Sequence, residues 1–309
     1  MGALAAQPGP IVLTGETRTA KVREITEKLE DGIRAIFDSD AYRAYLDTMA
    51  KFHRYSFGNT ILIWLQRPDA SLVAGYNDWK KKHHRHVKEH EKGIKILAPI
   101  VSKRKKSEDA ESGQNADQQQ DEKDEMPPVV STFKVVTVFD VSQTEGEPLP
   151  SYGVDELTGD VEQYNAFMSA LESVSPAPIR YEDIPGGAHG YYSHTTRSIA
   201  IQDGMSQLQT LKTGIHEVAH AVLHAWPEDG KRPTNGPDRH TKEVQAESVA
   251  YTVCQHYGLD TSDYSFAYVA GWSTGRELPE LKASMETIRT AAHDLIDAID
   301  AKLCKEVSA

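Results

Sequence analysis

Residues 211–226 read LKTGIHEVAHAVLHAW, and their reading decides the fold of the second half of the chain. Leu208, Leu211, Ile215, Val218, Ala219, Val222, Leu223 and Trp226 recur at three- and four-residue steps. That spacing predicts a helix with one apolar stripe. His216 and His220 stand four apart, so they leave one face of the helix with about 5–6 Å between their Cβ atoms. Two imidazoles so placed can reach one zinc ion at about 2.0–2.1 Å. Glu217 lies beside the metal rather than on it, where a carboxylate can take a proton from an activated water. This is the H-E-x-x-H arrangement of metallopeptidases. The pentapeptide alone fits a second reading: a core helix whose histidines bond neighbouring carbonyls. His224 continues the face one turn further, too far along the axis to close the same site easily, and reads as packing or as support for a ligand.

A zinc site that does chemistry needs a third protein ligand and an open position. TKEVQAESVAYTVCQHYG, residues 241–258, supplies candidates. Glu243 and Glu247 are again four apart, on one face with Tyr251, and Val244, Ala246, Val249, Ala250 and Val253 form the apolar remainder. Gly258 is placed to stop the helix. One carboxylate can bind the metal while the other holds a ligating histidine. The competing reading is an exposed acidic face on a partly buried helix. Upstream, the run Ser198–Ile201 predicts a strand. His189, Tyr191, Tyr192 and His194 are candidates to stabilise an oxyanion, with none singled out.

The 309 residues are a prior for about two domains. A hydrophobic content of 39% is low for one packed globule and predicts an exposed segment. Two cysteines, Cys254 and Cys304, make neither a disulfide framework nor a cysteine zinc site, and suit a reducing cytoplasm. MGALAAQPGPIVLTG, the first fifteen residues, has neither the basic region nor the apolar core of a signal peptide or membrane span. Ala6 breaks the myristoylation pattern that Gly2 would begin. A net charge of −12 argues against a nucleic-acid binder for the chain as a whole.

The average hides an asymmetry. Between residues 77 and 106, Lys80, Lys81, Lys82, Arg85, Lys88, Lys92, Lys95, Lys103, Arg104, Lys105 and Lys106 are opposed only by Asp78, Glu89 and Glu91. His83, His84, His86 and His90 add charge on mild acidification. Phe52, Tyr55, Phe57, Trp64, Tyr76 and Trp79 gather just ahead. Cations that track phosphates beside rings on which bases stack are what a single-strand binder needs. A solvated basic hairpin with its aromatics in the core has the same composition. Residues 107–128, SEDAESGQNADQQQDEKDEMPP, are acidic and poor in apolar groups, which predicts a disordered insert. It interrupts two strand-like runs, KGIKILAPIV and TFKVVTVFDVSQT, and so reads as a loop inside the first domain. Residues 17–50 predict helices, with a cap at Ser39 or Asp40. Asn59 to Gln66 fits a helix or a buried strand equally. EGEPLPSYG, residues 145–153, reads as a linker, residues 160–174 as a helix, and residues 279–303 as a closing amphipathic helix with Pro279 near its first turn.

Two resemblances join these parts. HEVAH followed by E-x-x-A-E resembles the zincin-type metallopeptidases with a glutamate ligand. That resemblance implies Glu243 as third ligand to Zn2+ and Glu247 as its support, in an order left open, and the Ser198–Ile201 strand as an edge that pairs with an extended substrate. FHRYSFGNTILIWLQRPDASLVAGYNDWKK followed by EKGIKILAPI resembles the N-terminal domain of ArdC-type antirestriction proteins. The family joins a single-stranded-DNA-binding domain to a C-terminal zincin-like domain, the order found here. The chain departs from the simpler family pattern in its acidic insert.

The expected molecule is thus an α+β protein of two domains. Residues 17–145 form a small α+β domain for single-stranded DNA, and residues 154–309 a mostly helical zincin-like metallopeptidase domain. His216, His220 and Glu243 hold Zn2+, Glu217 is the general base and Glu247 the support or alternative ligand. Tyr55, Asn59, Trp79, Lys80, Lys81, Lys82, Arg85, Lys88 and Lys92 face DNA. The expected setting is the cytoplasm, with no membrane partner, a peptide or protein substrate, and antirestriction for a mobile element. The rival is a DNA-binding or nuclease-blocking protein whose zinc site is structural or vestigial.

Overall fold

The computed structural model describes residues 9–102, 129–149, 161–227, 230, 233–264 and 266–306. The acidic insert and residues 150–153 of the expected linker lie outside the described residues. The first helix, α1 (Arg18–Ala35), starts where the Thr17 side chain accepts from the Ala20 amide. Helix α2 (Ser39–Lys51) is capped by Asp38, one residue before the expected cap, because its carboxylate accepts from the Asp40 amide. Helix α3 (Phe57–Gln66) settles the ambiguous apolar run as helix: Ser56 caps it, and Ile61, Leu62 and Ile63 are all buried.

Next come β1 (Val73–Gly75), α4 (Tyr76–Lys82), β2 (Arg85–Val87), β3 (Ile94–Ser102) and β4 (Val129–Asp140). A 3-10 turn over Val141–Gln143 leads into β5 (Thr144–Gly146). β1, β4 and β3 form an antiparallel sheet in that order, and β2 pairs with β5. The start of the expected linker is therefore a strand, paired as His86 to Glu145 and Arg85 to Gly146.

Helix α3 lies along β3 and continues its hydrogen bonding with side chains. The Asn59 amide donates to the Leu97 carbonyl and accepts from the Leu97 amide, both at 2.9 Å. Seven residues on, Gln66 does the same for Lys95, again at 2.9 Å each way. Two turns of helix bring both amides to one face, so they satisfy backbone groups of β3 that would otherwise be exposed.

The second half opens with α5 (Val161–Val174), followed by β6 (Ile179–Glu182), β7 (Gly190–Ser193) and β8 (Ser198–Gln202). Their order is β6-β8-β7, with β6 parallel and β7 antiparallel to β8. The expected edge strand is thus the middle one: residues 198–201 are buried, and β7 is an edge. Helices α6 (Gln207–His224), α7 (Arg239–His256), α8 (Val269–Ser273) and α9 (Leu278–Glu306) complete the chain. α7 is followed by Gly258 at φ +68°, the left-handed geometry expected of a helix stop.

One apolar cluster contains Ile33, Tyr42, Leu46, Phe57 and Ile61 from the first three helices together with Ile215, Val218, Val249, Ile288 and Ile296 from the last four. A smaller cluster, including Ile25, Leu62, Ile63, Ile94 and Val138, fills the space between helices and the first sheet. Polar bonds cross the larger core as well. Tyr42 and Ser248 share a hydrogen bond of 2.8 Å, and Tyr251 donates to Asp47 at 2.6 Å. No described helix is long and apolar enough to cross a membrane.

Candidate metal centre

Helix α6 begins where Ser206 accepts from the Gln209 amide, and buries Leu211, Ile215, Val218 and Ala219 against the core. The stripe is narrower than its periodicity suggests. Val222 stands 49% exposed, and the Trp226 ring lies beyond the helix, stacked on His194 at 4.6 Å. The opposite face carries the histidines. His216 Nε2 and His220 Nε2 are 3.1 Å apart. Glu243 Oε2, on α7, sits 3.5 Å from His220 Nε2 and 3.8 Å from His216 Nε2. Ligands at about 2.0–2.1 Å on a tetrahedral zinc are separated by about 3.3 Å. The three atoms have the spacing of three corners of such a tetrahedron.

Their ionisation suits a cation. Burial, then the neighbouring His220, holds His216 down to about 4, so it is neutral. The hydrogen bond to His220 holds the Glu243 carboxyl below its usual range despite burial. Neutral imidazole and ionised carboxylate are the ligating forms. Glu247 faces elsewhere: it accepts from the Tyr268 hydroxyl at 2.5 Å, and burial raises its carboxyl.

Glu217 is 7% exposed and points toward β7. Burial pushes its carboxyl up to about 7, against the attraction of His220 and a hydrogen bond from the Tyr192 amide. Gly190 on β7 makes room for it. A Cβ there would lie 2.6 Å from Thr213 Cγ2, 3.0 Å from the Ala200 carbonyl oxygen and 3.2 Å from Glu217 Cγ. A cleft of about 590 Å³ opens over His216, His220 and Glu243 and is bounded by the β7 edge, Tyr192, His194 and Trp226. Tyr191 lines it too, but its hydroxyl donates to Glu182 at 2.7 Å. His189 bonds Gln209 at 3.3 Å.

Behind the ligands runs a chain of side chains that the sequence shows only in part. His220 Nδ1 meets His224 Nδ1 at 3.0 Å, and His224 Nε2 meets Gln245 Oε1 at 3.0 Å. Gln245 Nε2 then donates to Ser284 Oγ at 2.9 Å. His224 has a sequence signal, the same face one turn on. Gln245 and Ser284 have none, since nothing local marks a buried amide on one helix as the partner of a histidine on another.

The residues expected to face DNA divide. Lys80, Lys81, Lys82, Lys88 and Lys92 are exposed on α4 and the segment after it. Lys82 pairs with Asp78 at 3.0 Å, and Lys88 donates to the Ser142 carbonyl at 2.9 Å. Arg85 is half-buried and spends its guanidinium on β5, donating to Thr144 Oγ1 at 2.8 Å and the Thr144 carbonyl at 3.0 Å. Trp79 is a correction. Its ring is fully buried and its Nε1 donates to the Phe139 carbonyl at 2.8 Å, so no base can stack on it. Asn59 is another, its amide being spent on Leu97 as described. Tyr55 is half-buried and donates to the Val73 carbonyl at 3.3 Å. The rings that do reach solvent nearby are Tyr76, 56% exposed, and Phe133 on β4, 45% exposed.

Residues 16–139 match the family model described as the N-terminal domain of anti-restriction factor ArdC. An uncharacterized protein of Bacillus anthracis is 29% identical over 318 residues, covering 94% of this chain and 53% of its own. The chain thus spans about half the length of that relative. The Mn(II)-bound crystal structure of antirestriction ArdC protein from the R388 plasmid superposes with a TM-score of 0.51. It is 22% identical, over 91% of this chain and 97% of that one. The metal-free structure of the same protein gives a TM-score of 0.48 at 23% identity, over 81% and 86%.

Proposed function

We propose that this ArdC-type chain, whose residues 16–139 carry the ArdC N-terminal domain, is an anti-restriction factor that joins single-stranded DNA binding to a metal-dependent peptidase centre. The observation that carries the reading is the convergence of His216, His220 and Glu243 at 3.1–3.8 Å beside the buried Glu217. The two-nitrogen, one-oxygen donor set fits zinc, and R388 ArdC has been crystallised with Mn(II). When bound, the metal supplies Lewis acidity for the hydrolysis of an amide. The chain's own residues do the rest. The exposed β7 edge offers backbone groups to align an extended peptide over the cleft. The Glu217 carboxylate takes a proton from the attacking water and returns it to the departing amine. The Tyr192 amide and the close wall at Gly190 keep that carboxylate aimed.

DNA binding rests on the family match and on the exposed Lys80, Lys81 and Lys92, with Tyr76 as the accessible ring. Phosphate neutralisation by these lysines releases counterions and gives a salt-dependent affinity for oligonucleotides.

Glu217→Gln separates the peptidase from the alternatives. The variant should fold, hold metal as the wild type does, bind an oligonucleotide equally, and fail to protect incoming DNA from host restriction. Full protection by this variant would overturn the peptidase part and leave a protein that guards DNA by coating it or blocking a nuclease.

A further inference from the structure

A second cluster with metal-ligand chemistry lies away from the first, where the turn after α2 packs against α9. His53 follows α2, while His293 and Asp297 stand four apart on α9. His53 Nε2 is 3.4 Å from Asp297 Oδ1, and His293 Nε2 is 3.8 Å from Asp297 Oδ2. One ligand atom from each of the three residues falls within 4.8 Å of the other two. The two nitrogen–oxygen separations fall within the 3.1–3.8 Å range of the first centre, near the tetrahedral zinc edge of about 3.3 Å.

The second observation is the state of the histidines. The His53 side chain is 9% exposed, and among the described residues neither of its ring nitrogens has a hydrogen-bond partner. His293 Nδ1 is also buried without one. Buried polar atoms are nearly always satisfied, and leaving several together unsatisfied is costly. A cation would satisfy them, since neutral imidazoles and an ionised carboxylate are what zinc takes. His256 packs its ring 4.9 Å from that of His53. Its Nδ1 is held by the Ala50 carbonyl at 3.0 Å, and its Nε2 lies 4.0 Å from Asp300 Oδ2. Among the described residues the competing cation is Arg54, 3.4 Å from Asp297 Oδ1, with a side chain that is 70% exposed.

We propose that His53, His293 and Asp297 bind a structural zinc ion that clamps the ArdC N-terminal segment to the last helix, with water as the fourth ligand. The position gives it work to do. Residues 16–139 and α9 are separated in sequence by most of the second half, and their mutual orientation sets how the DNA-binding face sits relative to the cleft. The ion needs no open coordination for chemistry, so its role is read in metal content and stability.

The test counts metal in the full chain after zinc loading and gel filtration, alongside thermal unfolding with and without zinc. Wild type should carry two zinc ions, His216→Ala/His220→Ala one, and Asp297→Asn one. The zinc-dependent rise in Tm should persist in the double histidine variant and shrink in Asp297→Asn. His293→Gln, which keeps the side chain's bulk, serves as the second variant if Asp297→Asn does not fold, and it too should carry one. No zinc in His216→Ala/His220→Ala would overturn the proposal, as would two ions retained in both Asp297→Asn and His293→Gln. A failure of the first centre shows separately, as a wild type with one ion that is lost in Asp297→Asn.

Discussion

His224 tests whether the chain of side chains behind the metal ligands matters to the metal. A His220 that ligates through Nε2 carries its proton on Nδ1. It therefore donates to His224 Nδ1, 3.0 Å away, and His224 in turn carries its proton on Nε2 and donates to Gln245 Oε1 at 3.0 Å. The direction is fixed at every link, ending where Gln245 donates to Ser284 Oγ. Substituting His224→Phe keeps a ring in a site only 5% exposed and deletes both bonds. Loss of a partner that orients a ligating histidine costs about 10–100-fold in metal affinity, or about 1.4–2.7 kcal/mol. The metal-free protein should also lose about 1–3 kcal/mol of stability, because Gln245 Oε1 is left buried without a donor. Gln245→Leu breaks only the second link, so its metal affinity should fall between those of His224→Phe and wild type. Competition against a zinc-chelating dye reads the affinities, and urea unfolding of the chelated protein reads the stability. An affinity of His224→Phe within about twofold of wild type would refute the reasoning. It would mean that the α6 backbone alone orients His220.

Three further outcomes follow from the geometry. Glu243→Gln should lose zinc by more than the roughly 100-fold upper range for a supporting residue, whereas Glu247→Gln, whose partner is Tyr268, should lose less than about tenfold in the same dye competition. Gly190→Ala should slow hydrolysis by about 10–100-fold, because the added Cβ, 2.6 Å from Thr213 Cγ2 and 3.0 Å from the Ala200 carbonyl, pushes β7 away from α6 and shifts it relative to Glu217, whose Cγ lies 3.2 Å off. Asp140 is 2% exposed, and burial raises its carboxyl; bonds from Ser142, Ser71 and Leu72 more than offset that, so its pKa lies below the usual value. The stability it gives is full above the unfolded carboxylate range and drains as pH falls below about 4. Asp140→Asn should cost about 2–4 kcal/mol at neutral pH and flatten that acid limb, measured by denaturation against pH.

The two halves of the chain differ in how much of this could be read before folding, and the difference is physical. A metal ion imposes distances, and distances on a helix become sequence spacing. His216, Glu217 and His220 are therefore legible as a unit, and Glu243 and Glu247 as a pair facing one way. Choosing between the two carboxylates is a tertiary matter. Tyr268, a residue with no local signal, claims Glu247 and leaves Glu243 toward the histidines.

DNA binding imposes no such spacing. Composition places lysines and rings in one stretch but does not say which rings face out. On α4 the lysines surround a fully buried Trp79, while Tyr76 three residues earlier is exposed, so counting aromatics overstates the stacking surface. Asn59 shows the same limit from the other side. An amide on a helix reads as a polar contact for a ligand, yet here Asn59 and Gln66 complete the bonding of β3. The edge strand was misplaced for a related reason: residues 198–201 look like any short apolar strand, and only pairing on both sides by β6 and β7 makes them the buried middle.

His53 carries the argument furthest. In sequence it is one histidine in an aromatic-rich stretch, far from any motif. Its meaning comes from α9, two hundred and more residues on, because the first three helices share a core with the last four. A site built across such a core has ligands too distant in sequence to form a pattern. In a fold that packs its two expected halves so closely, a cluster such as His53, His293 and Asp297 assembles where no reading of either half would look.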